Sequence, residues 1–146
     1  MTYDNIEILF AEDSADDAML TIRALSKSGI TNKLHHVKDG AEALNFIYCR
    51  GVYSERNPTE YPKLILLDLK MPKVSGMQVL EKLKSDPDTK RIPVVMLTSS
   101  KESPDVEKSF ALGANSYIVK PVDSDKFFNA IKEIGMYWMI LSQSPH

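Results

Sequence analysis

The feature that most restricts the fold of this chain is an unbroken aliphatic run, Leu64 to Leu67, that ends at Asp68. A strand with one solvated face alternates apolar and polar residues, whereas a strand covered on both faces is apolar throughout. The run is bounded by Pro62-Lys63 on one side and by an acid on the other. It therefore predicts a strand of a parallel sheet that is buried between two layers of helices.

Short apolar runs recur along the chain and alternate with helical patterns. The predicted strands are 6–11, 33–37, 64–67, 94–97 and 117–119. Helical patterns follow each strand: the first has Ala18, Ile22 and Leu25 as its apolar positions, and the last runs from Asp123 toward Ser142. Such units pair in parallel through right-handed crossovers, with helices on both faces. The pattern predicts a flavodoxin-like (βα)5 doubly wound α/β sheet with strand order 2-1-3-4-5; an α+β meander is the alternative.

Length and composition are those of one ordinary globular domain. The 146 residues are 43% hydrophobic and 26% charged, which predicts a single domain over 1–146 with a core of about 6–142. The net charge of -2 and the absence of a basic cluster argue against nucleic acid as a partner. The sequence shows neither a signal peptide nor a membrane-length apolar run, so we expect a cytoplasmic protein with no membrane partner. The single cysteine, Cys49, is interpreted as a small, buried or half-buried apolar residue.

Polar residues follow the strands at the edge where parallel strands end. Glu12 and Asp13 follow the first strand, Asp68 the third, Thr98 the fourth and Lys120 the fifth. Ligands bind outside the carboxyl ends of such sheets, at the switch point, and the predicted order makes the first and third strands neighbours there. We therefore expect the three carboxylates to converge on one spot.

Three converging carboxylates need raised pKa values, a cationic side chain or a bound metal. Lys120 supplies only one positive charge, and all-oxygen ligands suit a hard divalent ion, for which Mg²⁺ is the expected cofactor. An aspartate beside Mg²⁺, a lysine ammonium and the Thr98 hydroxyl forms a place to accept a phosphoryl group covalently. Taken singly, each residue also has a structural interpretation: a helix N-cap region at Glu12-Asp13-Ser14, a strand-end threonine and a solvated lysine.

These residues resemble the CheY-like receiver domains of response regulators. The matching features are the pair Glu12-Asp13, the segment 66–72 around Asp68 with Gly76, then Thr98 and Lys120-Pro121. They occur in the family's order over the region from Ile6 to Ser142. The resemblance implies that Asp68 accepts a phosphoryl group from a sensor histidine kinase or a small phosphodonor.

The resemblance also implies a metal site. Asp13 would bind Mg²⁺ directly and Glu12 mostly through water. Asp68 and the main-chain carbonyl of Lys70 would complete the protein ligands.

The remaining matched residues would act on the phosphoryl group. Lys120 would pair with it, and Thr98 would move toward it. Tyr117 occupies the aromatic switch position and would turn inward with Thr98; the alternative is a half-buried strand aromatic. The Lys120-Pro121 bond matches a position that is usually cis in the family.

Two segments go beyond a minimal receiver. The extended loop 50–62 is longer than common connections of about 2–6 residues, which indicates either a tolerated insertion or a partner-facing loop with two tyrosines, Tyr53 and Tyr61. The other is the end of the last predicted helix, 136–141, which is apolar all round.

An apolar helix end needs a second surface to cover it. Packing within the chain is one solution. We favour a symmetric homodimer through the C-terminal helix region, with candidate contacts at Tyr137, Trp138 and Met139. The loop and this tail together resemble the small receivers paired with bacterial, especially cyanobacterial, phytochrome histidine kinases.

Three other functions fit the sequence less well. A haloacid-dehalogenase-type phosphatase needs a second carboxylate two residues after its nucleophile, where this chain has Lys70. A flavodoxin-like electron carrier needs a hydroxyl- and glycine-rich phosphate loop where this chain has the acidic segment 12–17. A degenerate receiver that only binds partners would not need the intact site residues. The sequence thus predicts a single-domain response regulator that promotes its own phosphorylation and dephosphorylation and is not a conventional turnover enzyme.

Overall fold

The computed structural model describes residues 5–30, 32–99 and 103–136. The strands are β1 (Ile8–Ala11), β2 (Leu34–Val37), β3 (Leu64–Asp68), β4 (Val94–Thr98) and β5 (Ser116–Val119). The α-helices are α1 (Ala15–Lys27), α2 (Gly40–Ile47), α3 (Gly76–Ser85), α4 (Ser103–Ala111) and α5 (Ser124–Glu133), and one turn of 3₁₀ helix covers Gly51–Tyr53. Among the helices of these three stretches, none has the length and apolar character to cross a bilayer.

All strand pairs of the sheet are parallel, and the strand order is β2-β1-β3-β4-β5. The predicted fold class and strand order are therefore confirmed. In the central pair, Ala11 of β1 lies opposite Leu67 of β3. This register brings the residues that follow the two strands side by side at the carboxyl edge.

The continuous apolar strands are buried because helices cover both faces of the sheet. Every residue of β3 and β4 is buried. Along β3, Leu64 and Leu66 belong to one apolar layer with residues of α1 and α5, whereas Ile65 and Leu67 belong to the other with residues of α2 and α3. The period-two alternation of a strand thus serves two cores instead of a core and solvent.

Helix α1 packs along a different stripe from the predicted one. Its buried residues are Ala18, Thr21, Ala24 and Leu25, whereas Ile22 is 39% exposed. At 3.6 residues per turn the predicted and observed stripes differ by a small rotation of the helix. Of the three apolar positions that predicted this helix, Ala18 and Leu25 are thus buried and Ile22 is not.

Helix α5 ends earlier than predicted because a glycine terminates it. Gly135 has φ 77°, its amide donates to the Lys132 carbonyl at 3.0 Å, and the Met136 amide donates to the Ile131 carbonyl at 2.9 Å. This pair of bonds is a Schellman motif, a common helix end at glycine. The predicted helix to Ser142 is corrected to an end at Glu133. Tyr137, Trp138 and Met139 lie outside the described residues.

The extended loop folds inward instead of presenting its tyrosines. Tyr53 is 2% exposed, and its hydroxyl donates to Glu42 Oε2 at 2.8 Å. Arg56 is buried and donates to the main-chain oxygens of Phe46 and Glu60 and to the sulfur of Cys49. The half-buried environment predicted for Cys49 is confirmed. A partner-facing role for both tyrosines does not fit this arrangement, since Tyr61 is also half-buried.

Candidate functional site

The carboxyl edge of the sheet brings together the acids that were predicted to converge. Glu12, Asp13 and Asp68 each offer an oxygen atom, and these atoms all lie within 4.8 Å of one another. Glu12 is 1% exposed and Asp68 is 6% exposed, whereas Asp13 is exposed. The site therefore concentrates negative charge at the border between the protein interior and solvent.

The β1–α1 loop is held in place by its main chain. The Glu12 amide donates to the Val37 carbonyl of β2 at 3.0 Å. The Glu12 carbonyl is 2.8 Å from the Nε2 atom of His36, whose ring contacts Phe10. The Ser14 amide donates to Glu12 Oε2 at 3.2 Å, and the Ser14 hydroxyl caps α1. These bonds aim Glu12 inward and leave Asp13 toward solvent.

The carboxyl of Asp68 is difficult to ionise in the protein without a metal. Burial is the main cause, and the hydrogen bond with Glu12 and the charge of Glu12 act in the same direction, so the pKa of Asp68 is raised to about 7 despite Lys120. A dication among these oxygens would favour the ionised form of Asp68 and so oppose this shift. The electrostatics therefore fit a bound cation.

Lys120 lies at the centre of the acidic cluster. Its Nζ atom is 2.7 Å from Glu12 Oε1 and 3.3 Å from Asp68 Oδ1. Burial opposes the charged form, but hydrogen bonds to Glu12 and Asp17 and the charge of Asp68 raise the pKa of Lys120 above its usual value. The lysine therefore remains an ammonium ion throughout the ordinary pH range.

The backbone around Lys120 is fixed on both sides. The Lys120 amide donates to the Thr98 carbonyl at 2.7 Å, and the bond to Pro121 is cis, as the resemblance implied. Sequence reasoning missed Lys126 of α5, whose ammonium donates to the carbonyls of Val119 at 3.0 Å and Pro121 at 3.1 Å. These carbonyls flank Lys120, so Lys126 contacts the main chain on both sides of the site lysine. The signal in the sequence was the position of Lys126 in the first turn of the helix that follows Lys120-Pro121.

A fourth carboxylate, Asp17, was also missed as a site residue. It lies in the first turn of α1, and its Oδ2 atom is 3.0 Å from Lys120 Nζ. In the sequence it appears only as part of an acidic run. Its position one helical turn after Asp13 was the signal that could have identified it.

The two predicted switch residues lie on neighbouring strands. Thr98 ends β4, is 5% exposed, and lies opposite Val119 of β5. Tyr117 is 37% exposed and contacts Phe110 of α4 edge to face, with ring centroids 5.6 Å apart. The resemblance implies that Tyr117 turns inward together with Thr98 when the protein is phosphorylated, and this switch role stays a prediction.

The β3–α3 loop passes close to the acceptor and depends on Gly76. The Leu69 amide donates to the Leu97 carbonyl at 2.8 Å, and the Gly76 amide donates to the Leu69 carbonyl at 3.1 Å. A Cβ atom at Gly76 would overlap the main-chain oxygen of Asp68. Lys70 lies in this loop with an exposed side chain, and the metal-binding role of its carbonyl stays a prediction.

The donor set of the cluster suits a hard divalent cation, because all of its side-chain donors are carboxylate oxygens. Both oxygens of Glu12 already have contacts, one with Lys120 and one with the Ser14 amide. Asp13 and Asp68 are thus the side chains best placed for direct coordination. This division agrees with the expected indirect role of Glu12.

Comparison with known proteins gives concordant sequence matches. The family model described as the response regulator receiver domain matches residues 8–132. Response regulator Rcp1 of Synechocystis sp. is 40% identical over 132 residues, which are 90% of this chain and 88% of Rcp1.

Solved structures of related proteins have the same architecture. The bacteriophytochrome response regulator RtBRR is 45% identical with a TM-score of 0.84, covering 90% of this chain and 79% of that chain. The phosphorylated cyanobacterial phytochrome response regulator RcpA is 37% identical with a TM-score of 0.75, covering 97% of each chain. The Mn(2+)-bound form of Rcp1 is 39% identical with a TM-score of 0.74, covering 90% of this chain and 93% of that chain.

The family match runs from the first residue of β1 almost to the end of α5, so it includes the whole sheet and the cluster at its carboxyl edge. The matches with Rcp1 and RcpA extend over 88% and 97% of those proteins. On this evidence the chain belongs to the response regulator receiver domain family.

Proposed function

We propose that the protein is a cytoplasmic response regulator of a two-component system that accepts a phosphoryl group on Asp68 from a histidine kinase. The observation that carries the proposal is the position of Asp68, a buried carboxylate 3.3 Å from a lysine ammonium inside a cluster of acids. A nucleophile, a cation for the developing charge and a divalent metal site are the parts that phosphoryl transfer needs. The phosphorylated form would signal by contact with other proteins.

The proposed reaction is an in-line displacement at phosphorus. A carboxylate oxygen of Asp68 forms the new bond to phosphorus, while the bond from phosphorus to the histidine nitrogen of the kinase breaks. The bonding electron pair leaves with that nitrogen, which takes up a proton. With acetyl phosphate as donor, the bond to the acetate oxygen breaks instead and acetate leaves. The product is an aspartyl phosphate, and water later cleaves it to restore Asp68 and release phosphate.

Apart from Asp68, the site residues would act by orienting the phosphoryl group and stabilising its charge. Lys120 would donate to a phosphoryl oxygen, and the Thr98 hydroxyl would donate to another. Asp13, Asp68 and the Lys70 carbonyl would hold Mg²⁺, with Glu12 acting through water. When bound, Mg²⁺ would neutralise charge on the carboxylates and on the transferring group. A related protein, Rcp1, has been solved in a Mn(2+)-bound form, which supports a divalent ion at this site.

Phosphorylation would change the conformation of the protein surface that carries Tyr117. Movement of Thr98 toward the phosphoryl group would free space beside β5, and Tyr117 would leave Phe110 to fill it. The partial exposure of both rings supports such a rearrangement, since neither is locked in the core.

The proposed kinase partner is a phytochrome. RtBRR and RcpA are phytochrome response regulators by name, and each resembles this chain over nine-tenths of its length or more. A phosphorylated bacteriophytochrome kinase should therefore transfer its phosphoryl group faster than a kinase of another sensory class. Equal rates from both kinases would contradict this pairing.

We also propose a homodimer through the C-terminal region that begins at Met136. The support is the apolar sequence of 136–141, with Tyr137, Trp138 and Met139 as candidate contacts. Sedimentation should show the wild type as a dimer and Trp138→Ala as a smaller species. A monomeric wild type, or a dimer that survives the substitution, would contradict the proposal.

The phosphoacceptor is tested with acetyl phosphate and MgCl₂, followed by intact-mass spectrometry. Wild type should gain one phosphoryl group, and both Asp68→Asn and a sample with excess chelator should gain none. A degenerate receiver would show no adduct in any sample. A haloacid-dehalogenase-type phosphatase would consume an added phosphate monoester with turnover, which our proposal excludes.

A further inference from the structure

The ammonium group of Lys120 has three carboxylate partners, of which Asp17 differs from the others in exposure. The distances from Lys120 Nζ are 2.7 Å to Glu12, 3.0 Å to Asp17 and 3.3 Å to Asp68. The side chain of Asp17 is 43% exposed, against 0% for Glu12 and 9% for Asp68. The contact with Asp17 is a hydrogen bond, and the contacts with Glu12 and Asp68 are ion pairs. Three carboxylates therefore compete for the three N–H donors of one ammonium group.

Asp17 does not cap α1, although acidic residues at the third position of a helix often do so. It is the third residue of α1 after the N-cap Ser14, where an acidic side chain can return to the N-cap amide in a capping box. Here the Ser14 amide donates to Glu12 instead, and the Asp17 carboxylate accepts from Lys120. A structural capping role therefore does not account for the orientation of Asp17.

A phosphoryl oxygen that binds Lys120 competes with these carboxylates for the N–H donors of one ammonium group. Glu12 is fully buried, and loss of its counter-ion would leave an uncompensated interior charge. Once phosphorylated, Asp68 would present charged phosphoryl oxygens beside Lys120 in place of its carboxylate, so the negative charge there would increase. Asp17 is the partner that solvent can rehydrate at small cost, because ion pairs of this exposure are weak.

Building on the proposed function, we infer that Asp17 is a positioning residue that holds Lys120 in the unphosphorylated protein and releases it on phosphorylation. Asp17 therefore stabilises the unphosphorylated form relative to the phosphorylated one. Removing the charge of Asp17 should stabilise the phosphorylated form by the free energy of one partly exposed ion pair. This free energy corresponds to a change of about two- to fivefold in the equilibrium between the two forms.

The test measures the affinity for beryllofluoride, a phosphoryl analogue, by ¹⁹F NMR in the presence of MgCl₂. Asp17→Asn should bind it about two to five times more tightly than wild type, and Asp17→Glu should return toward the wild-type affinity. The control is Asp16→Asn, which removes the same charge from an exposed neighbour and should leave the affinity unchanged. The gain of Asp17→Asn should shrink in about 1 M salt, where screening is strong.

The possible failures are distinguishable. If wild type binds beryllofluoride but Asp17→Asn binds equally or more weakly, the role of Asp17 is wrong and the proposed function stands. An equal gain for Asp16→Asn would also overturn the role, because it would reduce the effect to net charge. If wild type binds no beryllofluoride and forms no adduct at Asp68, the proposed function fails together with the inference. A gain in affinity cannot come from damage to the fold, so a structural role for Asp17 predicts the opposite sign.

Discussion

Asp68→Asn should remove a pH dependence from the stability of the metal-free protein. Burial and the neighbouring Glu12 raise the pKa of Asp68 to about 7, against a reference of 3.8. Between these values the folded protein retains a proton that the unfolded chain has lost. The free energy of unfolding therefore falls as the pH rises through this window, and the fall is complete above pH 7.

The magnitude follows from the width of the window. Between pH 5 and the raised pKa of Asp68 lie about two pH units, and each unit changes the free energy of unfolding by about 1.4 kcal/mol. From pH 5 to pH 8 the free energy of unfolding of the wild type should therefore fall by about 3 kcal/mol relative to that of Asp68→Asn. Titrating groups that do not contact Asp68 are common to both proteins and cancel in the comparison. The raised pKa of Asp68 already includes the opposing effect of Lys120, so this figure needs no further subtraction for that ion pair.

The assay is urea unfolding followed by far-ultraviolet circular dichroism at pH 5 and pH 8, with a chelator and then with MgCl₂. The difference between the two proteins should grow with pH in the chelator. Added MgCl₂ should stabilise the wild type at pH 8 more than the variant, since the variant lacks one ligand carboxylate. A difference that is the same at both pH values would refute the reasoning, because it would mean that Asp68 titrates normally in the fold.

Three further changes test the supports of the site. Gly76→Ala should lower the free energy of unfolding by about 1–3 kcal/mol in urea, because the new methyl group overlaps the acceptor's main-chain oxygen; an unchanged midpoint would contradict this. Lys126→Met should slow phosphorylation by acetyl phosphate several-fold, because two carbonyls beside Lys120 lose their donor, whereas Lys126→Arg should retain the rate. Lys132→Met, another exposed lysine of α5, is the control, and equal slowing there would rule out a local effect. Arg56→Met should lower the free energy of unfolding by about 1–3 kcal/mol in thermal or urea unfolding, because the carbonyl of the buried Phe46 loses its donor, with phosphorylation retained; a wild-type stability would show that the loop is not held by this side chain.

The parts of the fold that sequence predicts well are those fixed by burial on two faces. The aliphatic runs of β3 and β4 have no other low-energy environment than the centre of a parallel sheet, so their position and the edge at which Asp68 and Thr98 lie follow directly. The convergence of acids follows from the same argument, because strand ends share an edge.

The sequence predicts poorly the features that depend on how a helix is rotated about its axis or on the conformation of a single residue. Ile22 and Thr21 are equally compatible with the periodicity of α1, and only packing against its neighbours selects between them. The end of α5 depends on Gly135 adopting a left-handed conformation, a signal that the apolar residues after it obscured. Asp17 and Lys126 are recognised by contacts between different elements, and their positions in the first turns of α1 and α5 are weak signals by themselves.

The pairing of Ala11 with Leu67 also limits how such a chain can change in evolution. Substitution among aliphatic residues inside β1 or β3 leaves the carboxyl edge where it is. Loss or gain of one residue there would displace Asp68 by about 3.3 Å along the sheet and turn its side chain to the opposite face. The lengths of these two strands are therefore under stronger constraint than their side chains, and insertions should accumulate in connections such as 50–62 that lie away from this edge.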